Sequence, residues 1–292
     1  MTSAKDFKGL VIVIPTKNRR SLLERALQSV LAQAYGAYRV VVINDGSTDD
    51  TRAYLESLTD PRIKVVHHEK SLGVNASRNE AFKNLAEGEW AVPLDDDDMF
   101  LPGAFEAIAR GVAEVPPDVQ ILCFNTIMHL PDGDVPGGYQ FIEGEQYYEP
   151  TYETLMTGKG WRMYSGAANW AVFKWTLFPM YLFAADINGF EGEMWILMGR
   201  DGIRMRYMPA QIVLTDYSHK EEHLSRVAAG RDPASFVRAY RRILPAHARF
   251  YDKPEHRHLG RSAALSGMKL AVRARDPLGF LYCAAWYVRW AL

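Results

Sequence analysis

The stretch WAVPLDDDDMFLP, residues 90–102, decides the fold of this chain. Its first half, Trp90–Leu94, has the composition of a buried parallel strand, and four consecutive aspartates follow it. A helix is expected over Pro102–Val115. In open α/β sheets, ligands bind at the carboxyl ends of such strands, so the aspartates mark a candidate binding edge.

The same strand-then-helix pattern occurs three times before this stretch. Strands are predicted over Leu10–Ile14, Val40–Ile43 and Ile63–His67, and helices over 21–31, 51–58 and 75–86. Four alternations in 115 residues predict an α/β fold, with a mostly parallel sheet flanked by helices. Polar residues also follow the first two strands, at Pro15–Arg19 and Asn44–Ser47.

Beyond residue 116 the pattern is less regular. Strands are predicted over 119–128, 166–175, 204–209 and 212–217, turns over 131–138, and a loop over 143–152. Helices are predicted over 194–198, 232–250 and 259–274, followed by an amphipathic segment over 278–292.

The composition, 48% hydrophobic and 24% charged, is that of a globular protein, and the net charge of −1 argues against nucleic-acid binding. Cys123 and Cys283 form neither a metal pattern nor a disulfide framework, which favours a reducing compartment. Leu10–Ile14 is shorter than a signal-peptide core, and we expect no spanning helix. A cytoplasmic location is therefore predicted.

The charge is unevenly distributed along the chain. Residues 226–292 contain 13 basic and 4 acidic side chains, against 21 and 31 in residues 1–225. Basic residues beside tryptophan and tyrosine suit a membrane interface, so segment 276–292 is predicted to contact the inner face of the plasma membrane. Alternatively, the tail packs on the acidic body or forms a dimer contact.

The aspartate run has the chemistry of a divalent-metal site. In an extended chain, Asp95 and Asp97 face one side, and Asp96 and Asp98 face the other. Clustered carboxylates repel one another unless a cation lies between them, and Mg²⁺ and Mn²⁺ prefer such oxygen ligands. Alternatively, the run is a solvated loop that caps the helix after Pro102.

Four motifs together resemble the family 2 glycosyltransferases of the GT-A fold. They are VIVIPTKNR at 11–19, NDGST at 44–48, GVNASRNEAF at 73–82 and LDDDDMFLP at 94–102. The resemblance implies a GT-A domain over 1–226, with a nucleotide-binding half at 9–115, an acceptor-binding half at 116–226, and a helical tail at 227–292.

The resemblance also implies a reaction. An inverting, metal-dependent enzyme would move a sugar from a nucleotide-diphosphate donor, most often UDP-linked, to a hydroxyl of a glycan or lipid-linked acceptor. Cell-surface polysaccharide biosynthesis is the pathway expected of this family. By the same resemblance, the cofactor is Mn²⁺ or Mg²⁺.

The resemblance assigns the donor site residue by residue. The nucleotide-binding candidates are Pro15, Thr16, Asn18, Arg19, Asp45, Arg78, Asp95 and Asp96. Asp45 would accept a hydrogen bond from the base, or it is only a turn residue before Gly46. Arg78 would lie near the base and diphosphate, or it is a surface charge.

The metal-ligand candidates are Asp97, the second acid of the family's D-x-D motif, with Asp95 as the first acid and His219. His219 could instead be an exposed loop residue. His67 and His68 have no expected acid partner and are interpreted as a strand end.

An inverting transfer needs a carboxylate that takes the proton of the acceptor hydroxyl. Counting back from Gly202, as the family spacing suggests, favours Glu191 over Glu193. A second register favours Glu193, and both could simply favour a helix N-terminus. Trp161 and Trp170 could contact the acceptor sugar, or they belong to the core.

Two other functions remain open at this stage. A nucleotidyltransferase also combines a parallel sheet with metal carboxylates, but it favours a glycine-rich loop after the first strand, and Pro15–Arg19 contains no glycine. A non-catalytic, membrane-associated protein that binds sugar nucleotides would keep the acidic pocket without a base.

Overall fold

The structure, a computed structural model, describes residues 7–160, 162–164, 170–178, 180–187, 192–218 and 232–291. The chain divides into two compact units, one of residues 1–182 and 202–220 and the other of residues 183–201 and 221–292. Segment 183–201 thus groups with the C-terminal helices. The domain boundary expected near residue 226 stays a prediction.

The first unit contains a sheet with helices. Its strands are Gly9–Thr16 (β1), Tyr38–Asn44 (β2), Ile63–His67 (β3), Glu89–Pro93 (β4), Met99–Phe100 (β5), Val119–Leu130 (β6), Gly133–Gly137 (β7), Trp170–Lys174 (β8) and Arg204–Asp216 (β9). Its helices are Arg20–Leu31 (α1), Thr51–Glu56 (α2), Val74–Phe82 (α3), Ala104–Glu114 (α4) and Tyr152–Thr157 (α5).

The strand order, among the described residues, is β3-β2-β1-β4-β8-β6-β9-β5, with β7 paired to β6. The first four strands are parallel, as predicted from the alternation of strands and helices. Strands β1 and β2 are fully buried or nearly so because both faces of this part of the sheet are covered. Their register sets Thr16 opposite Asn44, so the polar strand ends meet at one edge.

The second half of the sheet differs from the prediction. The two closing strands expected around Pro209 form one strand of 13 residues, β9. Proline is tolerated there because the pairing with β6 shifts between Met208 and Gln211, which leaves the proline in a bulge. The turns expected over 131–138 include β7, an edge strand that contains Pro136.

The second unit is mainly helical where the structure describes it. Its helices are Gly192–Arg200 (α6), Pro233–Ala246 (α7), Ala248–Tyr251 (α8), Arg257–Ala274 (α9) and Pro277–Ala291 (α10). A Cβ on Gly260 would lie 2.8 Å from Trp290, and a Cβ on Gly267 would lie 2.7 Å from Cys283 Sγ. Helices α9 and α10 are therefore antiparallel and closely packed through small residues. Among the described helices, none combines the length and apolarity needed to cross a bilayer.

Candidate functional site

The four aspartates at 95–98, here called the acid turn, follow β4 at the carboxyl edge of the sheet. The chain is no longer extended there, because the Asp98 N–H donates to the Asp95 carbonyl at 3.1 Å. Carboxylate oxygens of Asp95, Asp97 and Asp98 consequently lie within 4.8 Å of one another. The expected alternation, with Asp96 and Asp98 together on the opposite side, is wrong because it assumed an extended strand.

Asp96 connects the acid turn to the end of β1. Its carboxylate accepts hydrogen bonds from Thr16 Oγ1 at 2.7 Å and from Arg19 Nη1 at 3.0 Å. Burial raises the pKa of Asp96 to about 6, although both donors act in the opposite direction. Asp96 and Thr16 therefore fix the geometry of the site, whereas their contact with a nucleotide stays a prediction.

Two arginines neutralise part of the acid turn. Arg19 Nη1 also lies 3.0 Å from Asp97 Oδ2, and Arg78 Nη2 lies 2.5 Å from Asp95 Oδ1. Arg78 is only 5% exposed, so its interpretation as a surface charge is wrong. Charge-assisted hydrogen bonds of this kind hold the carboxylates in fixed directions.

Asp98 is the third member of the cluster, and the sequence did not single it out. It is buried, and burial together with the charges of Asp95 and Asp97 raises its pKa well above the usual range. The backbone N–H of Asp216 donates to Asp98 Oδ1 at 3.1 Å. A divalent cation would relieve this repulsion and would find the oxygen ligands that it prefers, so these residues fit Mg²⁺ or Mn²⁺.

The end of β9 is also held against α1 by an ion pair. Arg25 Nη2 lies 2.8 Å from Asp216 Oδ2, and Ser218 donates to Asp216 Oδ1 through its backbone N–H and its hydroxyl. Burial opposes ionisation, but these donors lower the pKa of Asp216 to about 2. No sequence signal pointed to Arg25 or Asp216, because their contact depends on the position of β9 in the sheet.

Asp45 organises the loop that follows β3. Its two oxygens accept hydrogen bonds at 2.7–2.9 Å from four donors, namely His68 Nδ1, Ser71 Oγ and the backbone N–H groups of Leu72 and Gly73. Burial opposes ionisation, but these donors, His68 first, lower the pKa of Asp45 to about 2. His68 does have an acid partner, contrary to the prediction. The contact between His68 and Asp45 follows from the register of β2 and β3, which sets Asn44 opposite His67.

Gly46, next to Asp45, has almost no free space. Its φ is +69°, and a Cβ there would lie 2.7 Å from the Ser71 nitrogen.

Asn18 also has a left-handed backbone conformation, with φ of 54°. Its N–H donates to Ser47 Oγ at 3.0 Å, and its side-chain oxygen accepts from the Thr48 N–H at 2.7 Å. Asn18 thus joins the polar ends of β1 and β2, whereas Pro15 pairs within the sheet opposite Ile43.

The remaining predicted residues are only partly described. Glu191, His219 and Trp161 lie outside the described residues, and so does the side chain of Glu193 in α6. Trp170 packs against the central core, and its Nε1 donates to the Pro93 carbonyl at 2.6 Å. This contact supports the alternative that Trp170 belongs to the core.

Comparison with known protein families identifies the class of this site. The model of glycosyl transferase family 2 matches residues 11–172, more than half of the chain. A Campylobacter jejuni beta-1,3-glucosyltransferase, named for GalNAc(5)-diNAcBac-PP-undecaprenol, is 28% identical over 190 residues, or 64% of this chain and 58% of that protein. The chain spans less than two thirds of the length of the curated relatives that it matches first.

Solved structures confirm the α/β fold that the resemblance implies. Staphylococcus aureus TarS 1–349 in complex with UDP-GlcNAc superposes with a TM-score of 0.65 at 17% identity, over 97% of this chain and 89% of that one. A Pyrobaculum calidifontis mannosyltransferase in complex with GDP-Man and Mn²⁺ gives 0.56 at 17% identity, over 100% of this chain and 88% of that one.

Proposed function

This chain belongs to glycosyl transferase family 2, and from that membership we propose that it moves a sugar from a nucleoside diphosphate to a hydroxyl group of an acceptor. The observation that carries the proposal is the convergence of Asp95, Asp97 and Asp98 within 4.8 Å at the carboxyl edge of the sheet. A UDP-linked donor is supported by the TarS complex with UDP-GlcNAc.

The same three aspartates are proposed to hold Mn²⁺ or Mg²⁺. When bound, a divalent ion supplies positive charge that stabilises the leaving nucleoside diphosphate. Burial and the charges of Asp95 and Asp97 raise the pKa of Asp98, and a bound cation would favour its ionised form. The mannosyltransferase complex with Mn²⁺ supports the same ion class. A contribution from His219 is part of this proposal.

The chain's own residues would divide the remaining work. Arg19 and Arg78 would orient the diphosphate, because a guanidinium donates two parallel hydrogen bonds to phosphate oxygens. Glu191, or Glu193 in the second register, would take the proton of the acceptor hydroxyl. The acceptor oxygen then bonds to the anomeric carbon as the bond from that carbon to the diphosphate oxygen breaks, which inverts the configuration.

A turnover assay tests this proposal directly. UDP release from UDP-sugars with Mn²⁺ should fall by more than about 100-fold in Asp97→Asn and Glu191→Gln, the range expected for loss of a metal ligand or a general base. Glu191→Gln should still bind UDP, as measured by calorimetry. The residual UDP release of Asp97→Asn should no longer depend on Mn²⁺. Asp50→Asn is the matched control. Asp50 lies between β2 and α2 and pairs with Arg20 on the surface.

Two other outcomes would change this proposal. Normal transfer by Glu191→Gln with an inactive Glu193→Gln would move the base to Glu193. Full activity of Asp97→Asn with any tested sugar nucleotide would refute the proposed role of the acid turn.

A lipid-linked acceptor and a membrane location are proposed for the same enzyme. The Campylobacter relative is named for an undecaprenol-linked glycan, which supports a lipid-linked acceptor. Cell-surface glycan synthesis at the inner face of the membrane is part of the same proposal. The C-terminal helices expose an apolar surface, here called the outer face. It comprises Val272, Leu278, Leu281 and Val288, which are 64%, 71%, 63% and 53% exposed.

The charges around the outer face favour an anionic surface. Helix α9 contains four basic residues and no acidic residue over Arg257–Ala274. Three acidic residues flank it in the chain: Asp252 and Asp276 pair with Arg289 and Arg241, and Glu255 is exposed. Basic residues beside exposed apolar side chains are attracted to anionic lipid headgroups, so segment 276–292 with the end of α9 is the proposed contact.

A further inference from the structure

We propose that Arg19 competes with the divalent cation for Asp97, and that the diphosphate of the donor removes this competition. Metal and nucleotide would then bind cooperatively through one side chain. The inference rests on the proposed function, because it assumes that the acid turn holds a divalent ion.

The competition follows from the position of one nitrogen atom. Arg19 Nη1 lies 3.0 Å from Asp96 Oδ1 and 3.0 Å from Asp97 Oδ2, so it bridges two carboxylates as a bound cation would. The Arg19 and Asp97 side chains are only 18% and 20% exposed. Water therefore screens the pair weakly, and a divalent ion that binds Asp97 meets a positive charge beside its ligand.

The backbone of Arg19 is anchored independently of this ion pair. Asn18 is held by Ser47 and Thr48 of the neighbouring strand end. The Arg19 carbonyl accepts the Leu23 N–H at 3.0 Å in the first turn of α1, whereas the Arg19 side chain does not cap that helix. The guanidinium can therefore leave Asp97 by rotating its own side chain, without moving the backbone.

The diphosphate offers Arg19 a better partner than Asp97. A guanidinium binds phosphate oxygens in the same forked geometry as a carboxylate, and a diphosphate carries more negative charge. Arg19 is also the N-cap residue of α1, whose N-terminus adds partial positive charge that favours an anion there. Transfer of Arg19 to the phosphates would leave Asp97 to the metal ion. By linkage, nucleotide and metal would strengthen each other's binding equally.

Binding of Mn²⁺ alone tests this inference without any turnover. Free Mn²⁺ is measured by electron paramagnetic resonance in titrations of the wild type, Arg19→Met and Arg19→Gln, each without and with saturating UDP. Without UDP, both variants should bind Mn²⁺ at least about fivefold more tightly than the wild type, and the gain in Mn²⁺ affinity caused by UDP should shrink by at least about fivefold.

The matched control is Arg20→Gln, which removes the same charge one residue away. Arg20 pairs with Asp50 at 2.7 Å, and both side chains are largely exposed. Its Mn²⁺ affinity should stay within about twofold of the wild type, because exposed charges are screened by solvent and salt.

Three outcomes would overturn the inference. Unchanged or weaker Mn²⁺ binding by the folded Arg19 variants would exclude competition, while leaving the metal site itself intact. Absence of any UDP effect on Mn²⁺ binding in the wild type would exclude the coupling even if neither variant folds. Absence of Mn²⁺ binding by the wild type with and without UDP would also remove the metal from the proposed function.

Discussion

The acid turn and the outer face depart from ordinary protein chemistry in opposite directions. The acid turn buries carboxylates, with Asp96 5% and Asp98 8% exposed, whereas the outer face leaves Leu278 71% and Leu281 63% exposed. A buried charge costs free energy unless a partner pairs with it, and an exposed apolar cluster is uncommon unless something binds over it. This contrast underlies the two binding surfaces proposed above, one for a cation with its anionic ligand and one for lipid.

The largest expected effect concerns lipid binding by the outer face. The double variant Leu278→Glu/Leu281→Glu should bind vesicles that contain anionic lipid more than about 100-fold less tightly than the wild type. It loses apolar burial at two positions, and two negative charges oppose the surface. Flotation with vesicles of phosphatidylglycerol and phosphatidylcholine measures the bound fraction.

The control makes the same chemical change on the other unit. Val135 and Ile142 are 37% and 61% exposed, and Val135→Glu/Ile142→Glu should float like the wild type. Equal flotation of both double variants would show that the outer face does not bind lipid, and the contrast between the two regions would then lose its functional meaning.

A smaller effect concerns pH, because Asp96 in the acid turn and His247 in the second unit should respond in opposite directions. Burial first, and then the charge of Arg200, lower the pKa of His247 to about 4, whereas burial raises the pKa of Asp96 to about 6. As pH falls from 6.5 to 4, the unfolded chain gains a proton on His247 before the folded chain does, which costs stability. Asp96 has the reverse effect, because its folded form binds the proton first.

Urea unfolding at pH 4.5 and pH 7 of the wild type, His247→Phe and Asp96→Asn separates these contributions. His247→Phe should gain roughly 2 kcal/mol relative to the wild type as pH falls, and Asp96→Asn should gain relative to the wild type as pH rises. Changes of the same sign in both variants would contradict the opposite pKa shifts of His247 and Asp96.

The smallest expected effect concerns Asp45. Asp45→Asn leaves two of the four hydrogen-bond donors to this side chain without an acceptor. The loss should lower the free energy of unfolding by about 1–2 kcal/mol. UDP binding should also weaken, because loop 68–73 loses the contacts that hold it. Thermal unfolding and calorimetry with UDP measure the two effects. Asp49→Asn is the control, because Asp49 is exposed and accepts only the Thr51 N–H in the described contacts. An unchanged affinity for UDP in Asp45→Asn would show that the loop does not contact the nucleotide.

The sequence predicted the nucleotide-binding half well because the signals there are local. Strand Ile63–His67 was predicted at its observed bounds, and Val40–Ile43 lies inside Tyr38–Asn44. Buried parallel strands are short apolar runs that end in polar residues, so both their place and their polarity are visible in one dimension.

Contacts between segments that lie far apart in the sequence were harder to predict. Asp98 was not predicted as a member of the cluster, because a turn at residues 95–98 replaces the extended geometry that was assumed. The pairing of Asp45 with His68 follows only when β2 and β3 are known to be neighbours in register. The ion pair of Arg25 and Asp216 joins positions 191 residues apart, which no local pattern reveals.

The crowding at Gly46 bears on how sequence variation among relatives should be interpreted. With φ of +69° and a Cβ position 2.7 Å from the Ser71 nitrogen, the backbone alone excludes every larger residue. A glycine retained there throughout evolution would report steric exclusion within the polypeptide and would carry no information about donor choice. Searches for specificity determinants should therefore disregard this position, however invariant an alignment makes it look.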